Sequence, residues 1–515
     1  MPARIEHPEL VFGLVGRIGA DTRAVAELLG LALRDVDYQS HELHLTEQLN
    51  EIPTLPSIDR TPVEKRYHDL IDTCNKFRET LSNFENIDSK DAMSTLAIFM
   101  IRAIRGKLSK SVTTPAEKCA FIINQIKRPE EVETLKNVYG DRFILVSCHS
   151  SRDKRRDVLT TRMSKDHPDH PNPIQWRSEA EALIERDDNE EDTDWGQRVR
   201  DVFPMADVII DAGSEATIKA QIQRFVWLLF GDNTITPTVD EHASYLAHVS
   251  ALRSSDLSRQ VGAVIADNRG EVIASGCNEA PSPGGGLYWE GDPEDGRDFA
   301  MGEDPNQRRK RQMVMEIVSK LKDNGYFVKK YKEANIAELE NILLDDKNGI
   351  LKESSVLDIS EFGRSVHAEM AAITEAARMG YKTAGATLYC NTFPCHNCAK
   401  HIVSSGIKRV VYLKPYPKSG VFELYPDSID VDPVSCVDNK VQFKQFFGIV
   451  SARYDALFSK RRWKDKLGRP IIWKKEKASP KVDLFDNSYI DFEIEQAHRL
   501  QTFIEHHSQG SIQKS

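Results

Sequence analysis

The sequence predicts an α/β protein, with a parallel sheet covered by helices on both faces in its N-terminal half and an α/β/α domain in its C-terminal half. Three observations predict it. Apolar strands alternate with helical segments through the first half, the order that builds a parallel sheet buried on both faces. A turn-rich stretch, GDNTITPT from Gly231 to Thr238, separates two periodic regions. Beyond it the elements run helix, hairpin, helix, strand, helix, strand. A chain of 515 residues is also too long for one ordinary domain, at roughly 100 to 200 residues each.

The first domain is expected over residues 1–235. It opens with ELVFGLVGRIGADTRAVAELLGLALRD, an apolar strand to Val15, a glycine loop and a helix with Asp21 or Thr22 near its N-cap. Further strands follow at Cys119–Ile123, Phe143–Cys148 and Asp207–Asp211, separated by helical stretches such as RPEEVETLKNVYG and SEATIKAQIQRFVWLLFG. The acidic segment from Ser164 to Asp194, with His167 and His170, reads as a mobile excursion whose histidines lie on the surface.

The second domain is expected over 236–475, with a C-terminal extension at 476–515. A helix in DEHASYLAHVSALRSS precedes a hairpin of VGAVIAD and VIASGCN joined across Asn268, Arg269 and Gly270. A helix in VHAEMAAITEAARMG ends at Gly380, strand TLYCNTF follows, helix PCHNCAKHIVSSG ends at Gly406, and strand RVVYLK closes the pattern. Between hairpin and histidine helix lies an insertion, Glu279–Arg364, that starts with the flexible PSPGGG; long inserts beside a site often act as lids or interfaces.

Bulk properties narrow the function. Hydrophobic residues make up 40% and charged residues 29%, and no apolar run is long enough to cross a bilayer. The start, MPARIEHPEL, lacks a secretory pattern, so a cytoplasmic, reducing location is expected, without disulfides. There a close pair such as Cys395 and Cys398 reads as metal-binding or redox-active, whereas Cys74, Cys119, Cys148, Cys277 and Cys436 read as small buried hydrophobes. A net charge of −10 argues against an extended nucleic-acid coat. Two basic runs stand out, Arg308–Arg311 and Ser459–Lys477; solvated helix faces are the ordinary explanation.

Deamination of an amidine-like ring carbon needs a strong nucleophile and a group that carries protons. A metal held by three protein ligands keeps a fourth position for water and lowers its pKa to about 7, and an adjacent carboxylate can move the protons. In SVHAEMAA, His367 and Glu369 lie two apart in the first turn of a helix, one suited to bind metal and the other to reach the water. In FPCHNC, Pro394 suits the first helical position, and Cys395 and Cys398 project from one face at a helix N-terminus that favours thiolates. H-x-E followed by P-C-x-x-C is the signature of zinc deaminases. By helical spacing His396 points away, and His401 lies two turns in.

On these motifs the C-terminal half resembles the cytidine and deoxycytidylate deaminase superfamily over roughly 238–430. SRQVGAVIADNRGEVIASGCNEAP resembles the segment before the catalytic histidine of deoxycytidylate deaminases, and KPYPKSG resembles a later stretch. The resemblance implies zinc on His367, Cys395 and Cys398, Glu369 as proton carrier, Asn278 on the sugar or base, Arg259 at the phosphate end, and Tyr416 or Lys418 in the pocket. The N-terminal half resembles a P-loop nucleoside or nucleotide kinase, and the whole resembles two-domain bacterial antiphage deoxycytidylate deaminases, which convert dCTP or dCMP to the uracil nucleotide. The phosphate loop is degenerate: aligned on Gly16, it has Asp21, Thr22 and Arg23 where glycine, lysine and serine belong. Phosphoryl transfer is therefore expected to be lost, with Gly13, Gly16, Gly19 and Arg23 left as contacts for a regulatory nucleotide. The resemblance further implies a homo-oligomer. Two other readings stay open on the residues alone: a polynucleotide or tRNA deaminase, favoured by the basic run 459–477, and a nucleotide-sensing or RNA-controlled scaffold, favoured by the degenerate loop.

Overall fold

A parallel sheet is built from β1 (Leu10–Gly16), β2 (Gln39–His44), β3 (Cys119–Asn124), β4 (Phe143–His149) and β5 (Val208–Asp211), and continuous apolar runs form its central strands β1, β3 and β4. They belong to one of two units in the computed structural model, formed by residues 1–241 and 446–515. The structure describes residues 5–512 except 53, 54, 57, 59, 60, 191, 192, 346–348, 353, 417, 418, 433–438, 461–463, 483 and 485. The parallel order is β5-β4-β1-β3-β2. Phe12 and Leu14 of β1 pack with Val25, Leu29 and Leu33 of the helix Thr22–Arg34 and with Ile222 and Phe225 of the helix Glu215–Leu229. Sequence reasoning passes over β2: an edge strand has one neighbour, and QSHELH buries only Leu43 fully.

Two expectations for this unit are corrected. Within the segment 164–194, the part up to residue 190 is packed rather than a loose excursion. Its helix Arg177–Asp188 buries Ala180, Leu183 and Ile184 against Ile18, Leu159 and Met163, apolar positions three and four apart concealed among acids. His167 stacks on Trp176 at 4.4 Å and lies 2.7 Å from Glu64, and only His170 of the pair is exposed. The second domain also ends earlier than 475. Residues 446–515 belong to the first unit, where Gly448–Ile449 adds an antiparallel strand beside β5 and the helix Tyr489–Ile512 packs on Ala92–Ser109. The unit's first segment reaches 241, because buried Glu241 pairs with Arg224 at 2.7 Å and accepts from the backbone of Ile449 at 2.9 Å.

The second unit, 242–445, carries β6 (Gly262–Ala266), β7 (Val272–Cys277), β8 (Thr387–Thr392), β9 (Arg409–Lys414), β10 (Ile429–Val431) and β11 (Val441–Gln445), ordered β10-β11-β9-β8-β6-β7. The β6–β7 turn falls where expected: Asp267 Oδ1 accepts from the backbone of Arg269 at 2.8 Å and of Glu271 at 3.0 Å, and Gly270 takes φ 88°. Because β6 runs antiparallel to both β7 and β8, those two strands end at the same edge of the sheet. The helix Ala368–Met379 starts beside the end of β7, tied by a Glu279–Val366 bridge, and the helix His396–Ser404 starts beyond β8. Topology thus brings two helix N-termini to one edge.

Gly276 permits that arrangement. A Cβ there would lie 2.5 Å from the carbonyl oxygen of Ala368 and 2.5 Å from the nitrogen of Ala372, both backbone atoms that cannot swing aside. Gly276→Ala is expected to destabilise this unit by about 1–3 kcal/mol through overpacking and to weaken metal retention, read by thermal unfolding and metal content. The insertion forms helices Pro305–Asp323 and Ile336–Leu344 around a small core of Val314, Val318 and Leu339. Its basic run is used internally: Arg308 pairs with Glu303, Arg311 with Glu340, and Lys310 donates to the carbonyl of Leu357. Among the described residues, no helix is long and apolar enough to cross a membrane.

Candidate active site

His367 and Cys395 are the N-caps of their helices, which begin at Ala368 and His396, later than the sequence reading placed the helix starts, and both have extended backbone. Pro394 accordingly precedes the N-cap instead of opening the helix. From those caps the side chains converge: Cys395 Sγ lies 3.3 Å and Cys398 Sγ 3.4 Å from His367 Nδ1. Among the described residues these three form the one metal-competent group, with donor atoms within 4.8 Å of one another. One imidazole nitrogen and two sulfurs make a donor set that suits zinc. A hydrogen bond from Cys398, with His367 beside it, holds the Cys395 thiol down at about 3, while the same bond pushes the Cys398 thiol well up, so without a metal one proton stays with the pair.

Glu369 is in the first turn of the histidine helix, 3% exposed, with Oε2 3.4 Å from Cys398 Sγ. Burial, reinforced by the charge of Cys395, raises its carboxyl above the usual range. It forms part of the wall of a cavity of about 260 Å³ that also contains His367 and Cys395.

Asn278, Arg259 and Tyr416 line this cavity. The Asn278 amide is engaged differently from the sequence expectation: Oδ1 accepts from the backbone of Val261 at 2.7 Å, and Nδ2 donates to the carbonyl of Arg259 at 2.8 Å. It therefore holds the 259–261 segment in place. The Arg259 guanidinium lies 4.8 Å from the Tyr416 ring centroid. Lys418 and Cys436 lie outside the described residues. His396 is a correction: it lines the cavity, because at the first helical position it is not yet governed by the spacing that would turn it away. The insertion contributes Asp298, Asp304, Asn306, Asp358 and Ser360 to the wall, contacts for which its sequence carried no motif.

Gly16 and Gly19 lie at the C-terminal end of β1, where β1 and β4 send their connections to opposite sides. Gly13 is within β1, Gly16 ends it, and Gly19 in the following loop has φ 85° and abuts the backbone of Arg155. Arg23 is largely exposed and pairs with Glu27 at 3.0 Å, and it is not among the described residues lining the cavity beside Gly19. Asp21 caps the helix by accepting from Ala24 at 3.1 Å, and Lys127 donates to the carbonyl of Gly16 at 2.8 Å.

The zinc-binding region of cytidine and deoxycytidylate deaminases matches residues 237–414, a stretch that contains the His367, Cys395 and Cys398 group. The chain is 32% identical over 180 residues to the deoxycytidylate deaminase of Enterobacteria phage T4, covering 34% of this chain and 77% of that protein. It is 50% identical over 54 residues to the phage T2 deoxycytidylate deaminase, covering 10% of this chain and 29% of that one. A tRNA-specific adenosine deaminase of Haemophilus influenzae is 28% identical over 137 residues, 25% of this chain and 76% of that one. The conjunction of converging donors, buried carboxylate and extended similarity leads to one conclusion: this chain belongs to the cytidine and deoxycytidylate deaminase family and carries that family's zinc-binding region.

Proposed function

We propose that the chain hydrolyses the exocyclic amine of deoxycytidine nucleotides, converting dCTP or dCMP to dUTP or dUMP and ammonia. The observation that carries the reading is the convergence of His367, Cys395 and Cys398 beside buried Glu369 in one cavity. The similarity to the phage T4 enzyme supports the choice of substrate class. His367 Nδ1 and the sulfurs of Cys395 and Cys398 would hold zinc, which would make a bound water nucleophilic at neutral pH. Glu369 takes a proton from the water that attacks C4 and passes it to the ring nitrogen, then takes the second proton from the hydroxyl now on C4 and passes it to the amine, which leaves as ammonia as the C4 carbonyl forms. Asn278 keeps the 259–261 wall closed on the substrate, and Arg259 faces its phosphate end.

Incubating the purified chain with dCTP, dCMP and cytosine-containing single strands tests this directly. Uracil nucleotides and ammonia are the expected products. Conversion of the polynucleotide alone would overturn the reading in favour of a base-flipping deaminase, the class to which the Haemophilus influenzae relative's name belongs. We further infer a role in depleting DNA precursors during phage infection, on the strength of the two-domain resemblance. A specific fall in dCTP and dCMP in cells making the wild type supports it, and pools that match those of cells making Glu369→Gln count against it.

The N-terminal unit is read as a kinase-like regulator. Its parallel strand order and glycine loop support the likeness, while Asp21 places a carboxylate at the helix N-terminus where a phosphate would otherwise sit. No ATP hydrolysis or phosphate transfer is expected from the purified chain, and robust kinase activity would refute the assignment.

A further inference from the structure

The catalytic cavity adjoins a second one, of about 300 Å³, and Arg259, Val261 and Thr392 belong to both walls. Lys414, the last residue of β9, is in register with Thr392, the last residue of β8, and completes the second wall together with His248 and Asn391. The two sides of the site differ in charge. Around the catalytic cavity stand Asp256, Asp298, Asp304 and Asp358, of which Asp298 is paired with Arg364 at 3.0 Å. The second cavity has Arg259 and Lys414 in its wall and no carboxylate among its described lining residues. Neither cation forms an ion pair with a described residue: Lys414 is exposed, and the Arg259 guanidinium faces the Tyr416 ring. Burial, joined by the charge of Lys414, lowers His248 below its usual range, which accords with a positive potential there.

A phosphate chain leaving the catalytic cavity meets like charge on the aspartate side and two uncommitted cations on the other. We propose that the substrate's phosphates run over Arg259 into the second cavity, and that Lys414 acts with Arg259 to select nucleotides bearing more than one phosphate. This rests on the deoxycytidine-nucleotide reading above. Lysine suits the task as a compact point charge on a flexible stem, able to follow the terminal phosphate without demanding one fixed geometry.

The test is steady-state kinetics of the full chain on dCTP, dCMP and deoxycytidine for wild type, Lys414→Glu and Lys414→Arg. In Lys414→Glu the ratio of kcat/KM for dCTP to that for deoxycytidine is expected to fall by at least about tenfold, with the change in KM for dCTP and a smaller effect for dCMP. Lys414→Arg is expected to keep the ratio within about threefold of wild type. A ratio in Lys414→Glu that stays within about twofold of wild type would overturn the inference and leave the deaminase reading standing. A wild type inert on all of these substrates would remove both together.

Discussion

Glu369→Gln is expected to reduce deamination of dCMP and dCTP by about 10³-fold or more while zinc content stays that of the wild type. The substitution preserves side-chain volume in a position only 3% exposed, so packing around it is retained. It leaves His367, Cys395 and Cys398 untouched as donors. What it removes is the capacity to accept and return a proton, and an amide offers no substitute at neutral pH. The decisive measurement pairs kcat with metal analysis on the same preparation. Turnover near the wild-type rate would refute the role of Glu369, whereas loss of zinc together with activity would make the residue a support for the metal site instead.

Glu493→Ala is expected to destabilise the first unit by about 3–5 kcal/mol, a large part of the roughly 5–15 kcal/mol that holds a domain folded. Arg105 is completely buried between two carboxylates: Nε and Nη2 donate to Glu9 at 2.8 and 2.7 Å, while Nη2 and Nη1 donate to Glu493 at 2.8 and 2.5 Å. Tyr489 closes the group by donating to Glu9 at 2.6 Å. The three charged residues come from the segment before β1, the helix Ala92–Ser109 and the helix Tyr489–Ile512, so the group fastens the end of the chain to its beginning. Alanine leaves the buried guanidinium with only Glu9 and the carbonyl of Val112 as partners and opens space beside it. Glu493→Gln keeps shape and an acceptor oxygen, and its loss should be smaller. Denaturant unfolding of the full chain measures both variants; equal midpoints for the two would remove the charge argument.

The features legible in the sequence were those whose chemistry is local. His367 and Glu369, and separately Cys395 and Cys398, fall within single helical turns, where spacing dictates which side chains share a neighbourhood. Buried parallel strands were legible for the same reason, since β1, β3 and β4 must be apolar on both faces. Edge strand β2 was not, because its environment is set by a partner far along the chain.

The metal motif was therefore determined by the sequence alone, down to the carboxylate of Glu369 beside it. Tertiary structure decided the rest of the site. It spent the Asn278 amide on the backbone of Arg259 and Val261, turned His396 into the cavity, and set Lys414 beside Thr392 through the pairing of two strands. It also returned residues 446–515 to the first unit, where a linear reading had assigned them to the second domain and its extension. The physical reason is common to all of these: they depend on which distant surfaces bury one another, and periodicity within a segment carries no record of its partner.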